Sequence, residues 1–130
     1  MSHGRRRGIA AVEAAISLPM LIVLVVGSIE AANTIFLKQS MTIAAYEAAK
    51  IASSPQGTPA FANLRCSEVL ASRGVNTFNL AINPSDLDAT TPRGTQVTVT
   101  LTVTSDSAVV GPLNFFSGKT LQTQVDMVRL

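Results

Sequence analysis

The side chain most out of place in this sequence is Glu13. It is the only charged residue between Ile9 and Ile29, in the run IAAVEAAISLPMLIVLVVGSI. A carboxylate inside an apolar span is costly and calls for a partner or a role, although the cost falls near a span's end, where the group reaches the headgroups. Four residues before it stands Ile9, preceded by Gly8 and by the basic block Arg5, Arg6, Arg7. A cut between Gly8 and Ile9 would free an α-amino group one helical turn from Glu13. When such helices bundle with an axial offset, the amine of one chain pairs with Glu13 of its neighbour, and two costly charges become one satisfied pair. The plainer alternative for Glu13 is an interfacial acid that stays solvated. Gly8 by itself would be only a flexible residue ahead of a helix; the combination carries the information.

Catalytic chemistry has little to work with. The chain has one histidine, His3, one cysteine, Cys66, and no tryptophan. A metal cluster, a disulfide framework and a Cys/His pair all need more. Neither a nucleophile elbow nor a glycine-rich phosphate loop is present. The expectation is a protein without catalytic residues, metal, cofactor or small-molecule substrate. Asp86 and Asp88, in NPSDLDAT, read as turn formers; a calcium loop would need further spaced oxygens and a closing glutamate. Cys66 reads as a small buried hydrophobe, with a disulfide to a second subunit as the alternative. The net charge of +2 and pI near 9.1 suggest nucleic acid only superficially. Without Arg5, Arg6 and Arg7 the chain holds seven Lys/Arg against eight Asp/Glu, so no basic stripe is left to follow a phosphate backbone.

The elements that must position these residues begin with the apolar run. Of 130 residues, 47% are hydrophobic and 14% charged, with a mean hydropathy of +0.35, where a soluble domain carries about 25% charged residues. Much of the excess lies in Ile9 to Ile29, which at 1.5 Å rise per residue crosses a hydrocarbon core of about 30 Å. Arg5, Arg6 and Arg7 ahead of it keep the N-terminus cytoplasmic by the positive-inside rule, so everything after Glu30 is exported. A cleaved signal peptide competes for the same residues, but a cut after Ala31 or Ala32 would place Ile29 or Glu30 at the −3 position, where a small residue is wanted. Pro19 inside the run removes one backbone hydrogen bond and predicts a kink or a loosened turn.

Beyond the span, Leu37, Met41, Ala44, Ala48 and Ile51 recur at helical spacing, so one helix is expected from Ile9 to about Ala52, ending at the breakers Ser53 to Pro59. A short helix from Ala60 to Ser72 follows, with Phe61, Leu64, Val69 and Leu70 on or near one face and Gly74 at C′. The period then changes to two. Thr95 to Thr104 alternates Val97, Val99, Leu101 and Val103 with polar residues, and Val75 to Ile82 and Leu121 to Arg129 are weaker strands. The connection Asp106 to Lys119 carries Pro112 and the pair Phe115 and Phe116. Three strands form an antiparallel sheet that needs a cover, and the stripe Leu37 to Ile51 provides it. The fold class is α+β: a long N-terminal transmembrane helix continuing into a small exported domain. The face carrying Thr98, Thr100, Thr102 and Thr104 is either a solvated sheet face or an edge that pairs with another subunit.

With these residues in view, the sequence resembles the type IV prepilins, and within them the TadE-like pseudopilins of tight adherence (Flp) pilus systems. The resemblance rests on the leader Met1 to Gly8, the Gly8/Ile9 junction with Glu13 at the fifth mature position, and the run GIAAVEAAISLPMLIVLVVGSIEAA. LQTQVDMVRL also resembles the closing strand of such proteins. Ala14 follows Glu13 where major Flp pilins usually carry tyrosine, and those pilins are much shorter; both differences favour the TadE-like branch. Ile9 stands where type IV pilins commonly have phenylalanine or methionine. The resemblance implies residues 1–8 as a leader cut by a prepilin peptidase, 9–30 as the transmembrane part of the helix and 31–130 as an exported head. It further implies a place in the bacterial inner membrane, single-pass, with a periplasmic C-terminal domain. Its partners would be the peptidase, other pilins or pseudopilins and the Tad assembly platform, and its work the assembly of adhesive pili. The alternative is a single-span envelope protein that binds a partner without polymerising.

Overall fold

A computed structural model describes residues 3–105, 115 and 117–130, with side chains from residue 8 onward. The elements in chain order are α1 (His3–Ala52), α2 (Pro59–Ala71), β1 (Asn79–Asn83), β2 (Gln96–Thr104) and β3 (Thr120–Val128). The chain is therefore α+β, as its change of period from 3.6 to 2 predicts. Of the connection between β2 and β3, Pro112 and Phe116 lie outside the described residues.

Helix α1 is continuous over 50 residues and runs through Pro19. It begins at His3, earlier than the expected Ile9, because the arginines are good helix formers and no breaker separates them from the span. Within it lies a stretch long and apolar enough to cross a membrane, none of it buried inside the fold. Large apolar residues from Ile9 to Ile29 stand more than half exposed on all sides. Left in water, each would forgo about 1 kcal/mol or more of burial energy, which argues for lipid around this half. Ser28 keeps its hydroxyl satisfied there by donating to the Leu24 carbonyl at 2.7 Å.

The second half of α1 follows another rule. Leu37, Met41, Ala44, Ala45, Ala48, Ala49 and Ala52 are buried along one face, while Gln39, Thr42 and Lys50 face solvent. The alanines allow close approach, and α2 answers with small residues of its own: Ala62, Cys66 and Leu70, at i, i+4 and i+8, face inward. Phe61 and Leu64, expected on the packing face, are 60% and 58% exposed. Backbone proximity, set by alanine against alanine, leaves no room for them inside. Thr58 caps the N-terminus of α2, its hydroxyl accepting from the Phe61 N–H at 3.4 Å. At the other end Gly74, at φ +76°, donates to Ala71 and Val75 donates to Leu70, both at 3.0 Å, the paired bonds that make Gly74 the C′ residue.

The sheet order is β1-β2-β3, antiparallel throughout, with Leu80 opposite Leu101, Val99 opposite Val125 and Val97 opposite Met127. Val97, Val99, Leu101 and Val103 are buried against the helices, so the alternation has its apolar face on the core. The first strand begins at Asn79, later than Val75, because Val75 is buried in the core as part of the turn after α2. β2 is the central strand, paired on both sides, so its threonines form a sheet face and not an edge. Thr98 donates to Asp126 across the strands at 2.6 Å on that face.

Candidate functional site

The residues with chemical potential lie at three levels of α1. At the first, Gly8, Ile9 and Glu13 are all exposed on the helix surface. Four residues of α-helix separate Ile9 from Glu13 by about 6 Å along the axis and bring them to nearly the same face. A Cβ at Gly8 would meet nothing within 4 Å. The side chains of Arg5, Arg6 and Arg7 lie outside the described residues.

The second level is Glu30, at the end of the span. Its side chain is fully buried, and the carboxylate accepts from the backbone N–H of Phe115 at 3.0 Å. Sequence reasoning passed over this residue as the first charge after the span. Its helical offset from Leu37, seven residues on, places it on the buried stripe, and that spacing is the signal that could have revealed it.

The third level is the C-terminus of α1, where Arg129 arrives from the end of the chain. Its side chain is buried, and the guanidinium donates to the carbonyls of Ala52 at 3.0 Å, Pro55 at 3.1 Å, Gly57 at 3.5 Å and Asp88. A cation at a helix C-terminus is doubly favoured, by the unpaired carbonyls and by the macrodipole. The surrounding backbone holds it in place: Arg129 N–H donates to Thr95, Gly94 N–H to Arg129 and Leu130 N–H to Ser53. Gly57 admits no side chain, because a Cβ there would lie 1.9 Å from the Ile51 carbonyl oxygen.

The remaining candidates have structural occupations. Asp88 accepts from the Thr90 N–H at 2.8 Å, the Thr90 hydroxyl at 2.7 Å and the Thr91 hydroxyl at 3.2 Å, a turn that takes up its carboxylate. The Thr90 donors above all hold that carboxyl below its usual range. Cys66 is a free thiol buried between the helices, and burial pushes it up to about 11. In that position it packs as a small hydrophobe and offers no surface for a disulfide to a second subunit. On the outer side of α2, Phe61 and Leu64 join Ile51, Gln56 and Arg65 around a shallow open groove. Glu47 holds Arg65 across the two helices at 3.5 Å. The first level places Gly8 and Ile9 beside an acid on an exposed apolar helix; the other two levels fix the head to that helix.

Residues 8–50 match the family described as TadE-like protein. The match takes in the junction at Gly8, Glu13, the apolar span, Glu30 and the buried stripe of α1 almost to its end. The likeness of the last ten residues to a closing strand falls outside it. No curated protein and no solved structure matches the chain.

Proposed function

We propose that the chain, whose residues 8–50 match the TadE-like family, is a minor pilin or pseudopilin that takes part in assembling Tad (Flp) type IV pili used in adherence. Its contribution is structural and not enzymatic. The observation that carries this reading is the exposed Glu13, one turn from Ile9, on the stretch of α1 whose large apolar side chains from Ile9 to Val25 are exposed. The precursor sits in the bacterial inner membrane with Arg5, Arg6 and Arg7 on the cytoplasmic side and the head in the periplasm. A prepilin peptidase cuts between Gly8 and Ile9. The freed amine then pairs with Glu13 of a neighbouring subunit, pilin or pseudopilin, as the helix enters the assembly platform.

Two substitutions test the steps separately. Gly8→Arg places a long charged side chain at the scissile junction and blocks maturation, read as an unshifted precursor band. Glu13→Ala leaves cleavage intact and impairs pilus assembly. Normal assembly by Glu13→Ala would sink the role given to that carboxylate.

A second reading, an anchored envelope protein that binds a partner without polymerising, draws on the exposed pair Phe61 and Leu64 beside the groove on α2. Under it, replacing both by serine abolishes partner capture while Glu13→Ala changes nothing.

A further inference from the structure

We infer that Phe115 is a membrane-interface anchor, seated in the headgroup boundary on the head's side of the bilayer and tethered there by Glu30. The inference rests on Ile9 to Ile29 lying in lipid. Pro19 is the midpoint of that run, and Gly27 lies eight residues beyond it. At 1.5 Å per residue Gly27 is about 12 Å from the midplane, just inside a hydrocarbon half-thickness of about 15 Å.

The ring of Phe115 stands at this depth: a Cβ on Gly27 would be 4.0 Å from its Cε2 atom. One turn further along α1, Glu30 accepts the Phe115 backbone N–H. The head therefore reaches back past its own end of the span and lays an aromatic side chain beside the last lipid-facing turn. That side chain is 58% exposed, and at this depth what it is exposed to is the boundary of acyl chains and headgroups. A large apolar ring is stabilised on the acyl side of that boundary by leaving water. The tether has its own logic there. A backbone N–H and a carboxylate are both expensive at the edge of hydrocarbon, and the bond between them satisfies both.

The chain has no tryptophan, so Phe115→Trp creates a single-tryptophan reporter at the site. The full-length variant is reconstituted in vesicles of phosphatidylcholine and phosphatidylglycerol, with and without lipids brominated near the top of the acyl chains. Phe61→Trp, on the outer side of α2, is the reference. The expected result is a blue-shifted emission for position 115, quenched several-fold more by brominated lipid than position 61 and shielded from acrylamide. Water-like emission at position 115 without lipid quenching, in protein that still floats with the vesicles, would overturn the anchor and leave the span intact. Loss of flotation would overturn both. In the Phe115→Trp background, Glu30→Ala removes the acceptor and lowers lipid quenching several-fold, whereas Glu30→Gln keeps an acceptor oxygen and most of the quenching. Equal quenching in Glu30→Ala would overturn the tether.

Discussion

The two halves of α1 obey different packing rules within one unbroken helix. From Leu18 to Val25 the apolar side chains are large and face every direction, the pattern of a helix whose solvent is lipid. From Leu37 to Ala52 they narrow to one stripe made mostly of alanine, and α2, β2 and β3 close against it. The first half gains from side-chain bulk wherever it points; the second gains from its absence. Each half ends at a buried charge satisfied by backbone groups, Glu30 by an N–H and Arg129 by carbonyls. These two residues mark where the helix changes solvent and where it stops.

The sharpest way to break this contrast is at its far end. Arg129→Met removes the cation from the C-terminus of α1 and leaves buried carbonyls without their donor. A loss of about 3–5 kcal/mol is expected, read as a lowered unfolding midpoint of the full chain in detergent. A loss under about 1 kcal/mol would mean that water replaces the guanidinium easily.

The dryness of the alanine-lined interface is sharpened by Cys66. Its thiol is raised from 9.0 to about 11 by burial, so the unfolded chain gives up this proton first. The associated stability is fully present below pH 9 and is lost as pH rises toward about 11. The total reaches about 2–3 kcal/mol. Measured unfolding free energies across that window should fall more steeply in the native chain than in Cys66→Ala, and matching slopes would show that the interface is wet.

Bulk itself is the third probe. Ala48→Leu forces a large side chain into the closed stripe and is expected to cost about 2 kcal/mol, whereas Ala15→Leu in the lipid half should leave the midpoint unchanged. Equal effects would erase the distinction between the halves. The smallest expected effect concerns how α2 is set against the stripe. Thr58→Ala removes its cap and costs about 1 kcal/mol in the same measurement.

Much of this architecture was legible because periodicity reports directly on which side is buried. The apolar run, the stripe through Met41 and Ala48 and the alternation from Val97 to Val103 each appeared with the period of its element. What periodicity missed was governed by distance between backbones. Spacing puts Phe61 and Leu64 on or near the face of Leu70, but Ala62 and Cys66 join Leu70 inside because the partner surface is alanine. Glu30 and Arg129 were hidden for a related reason: their partners are backbone groups distant in sequence, Phe115 for one and the end of α1 for the other. Of the site residues, Gly8 and Glu13 could be singled out because lipid makes a carboxylate conspicuous and their spacing is local.

The most direct measurement is N-terminal sequencing of the protein purified from membranes of cells that carry a prepilin peptidase. The account predicts a chain that starts at Ile9, with the amine one turn from Glu13. A chain that still starts at Met1, or one that starts beyond Ala31, would contradict it.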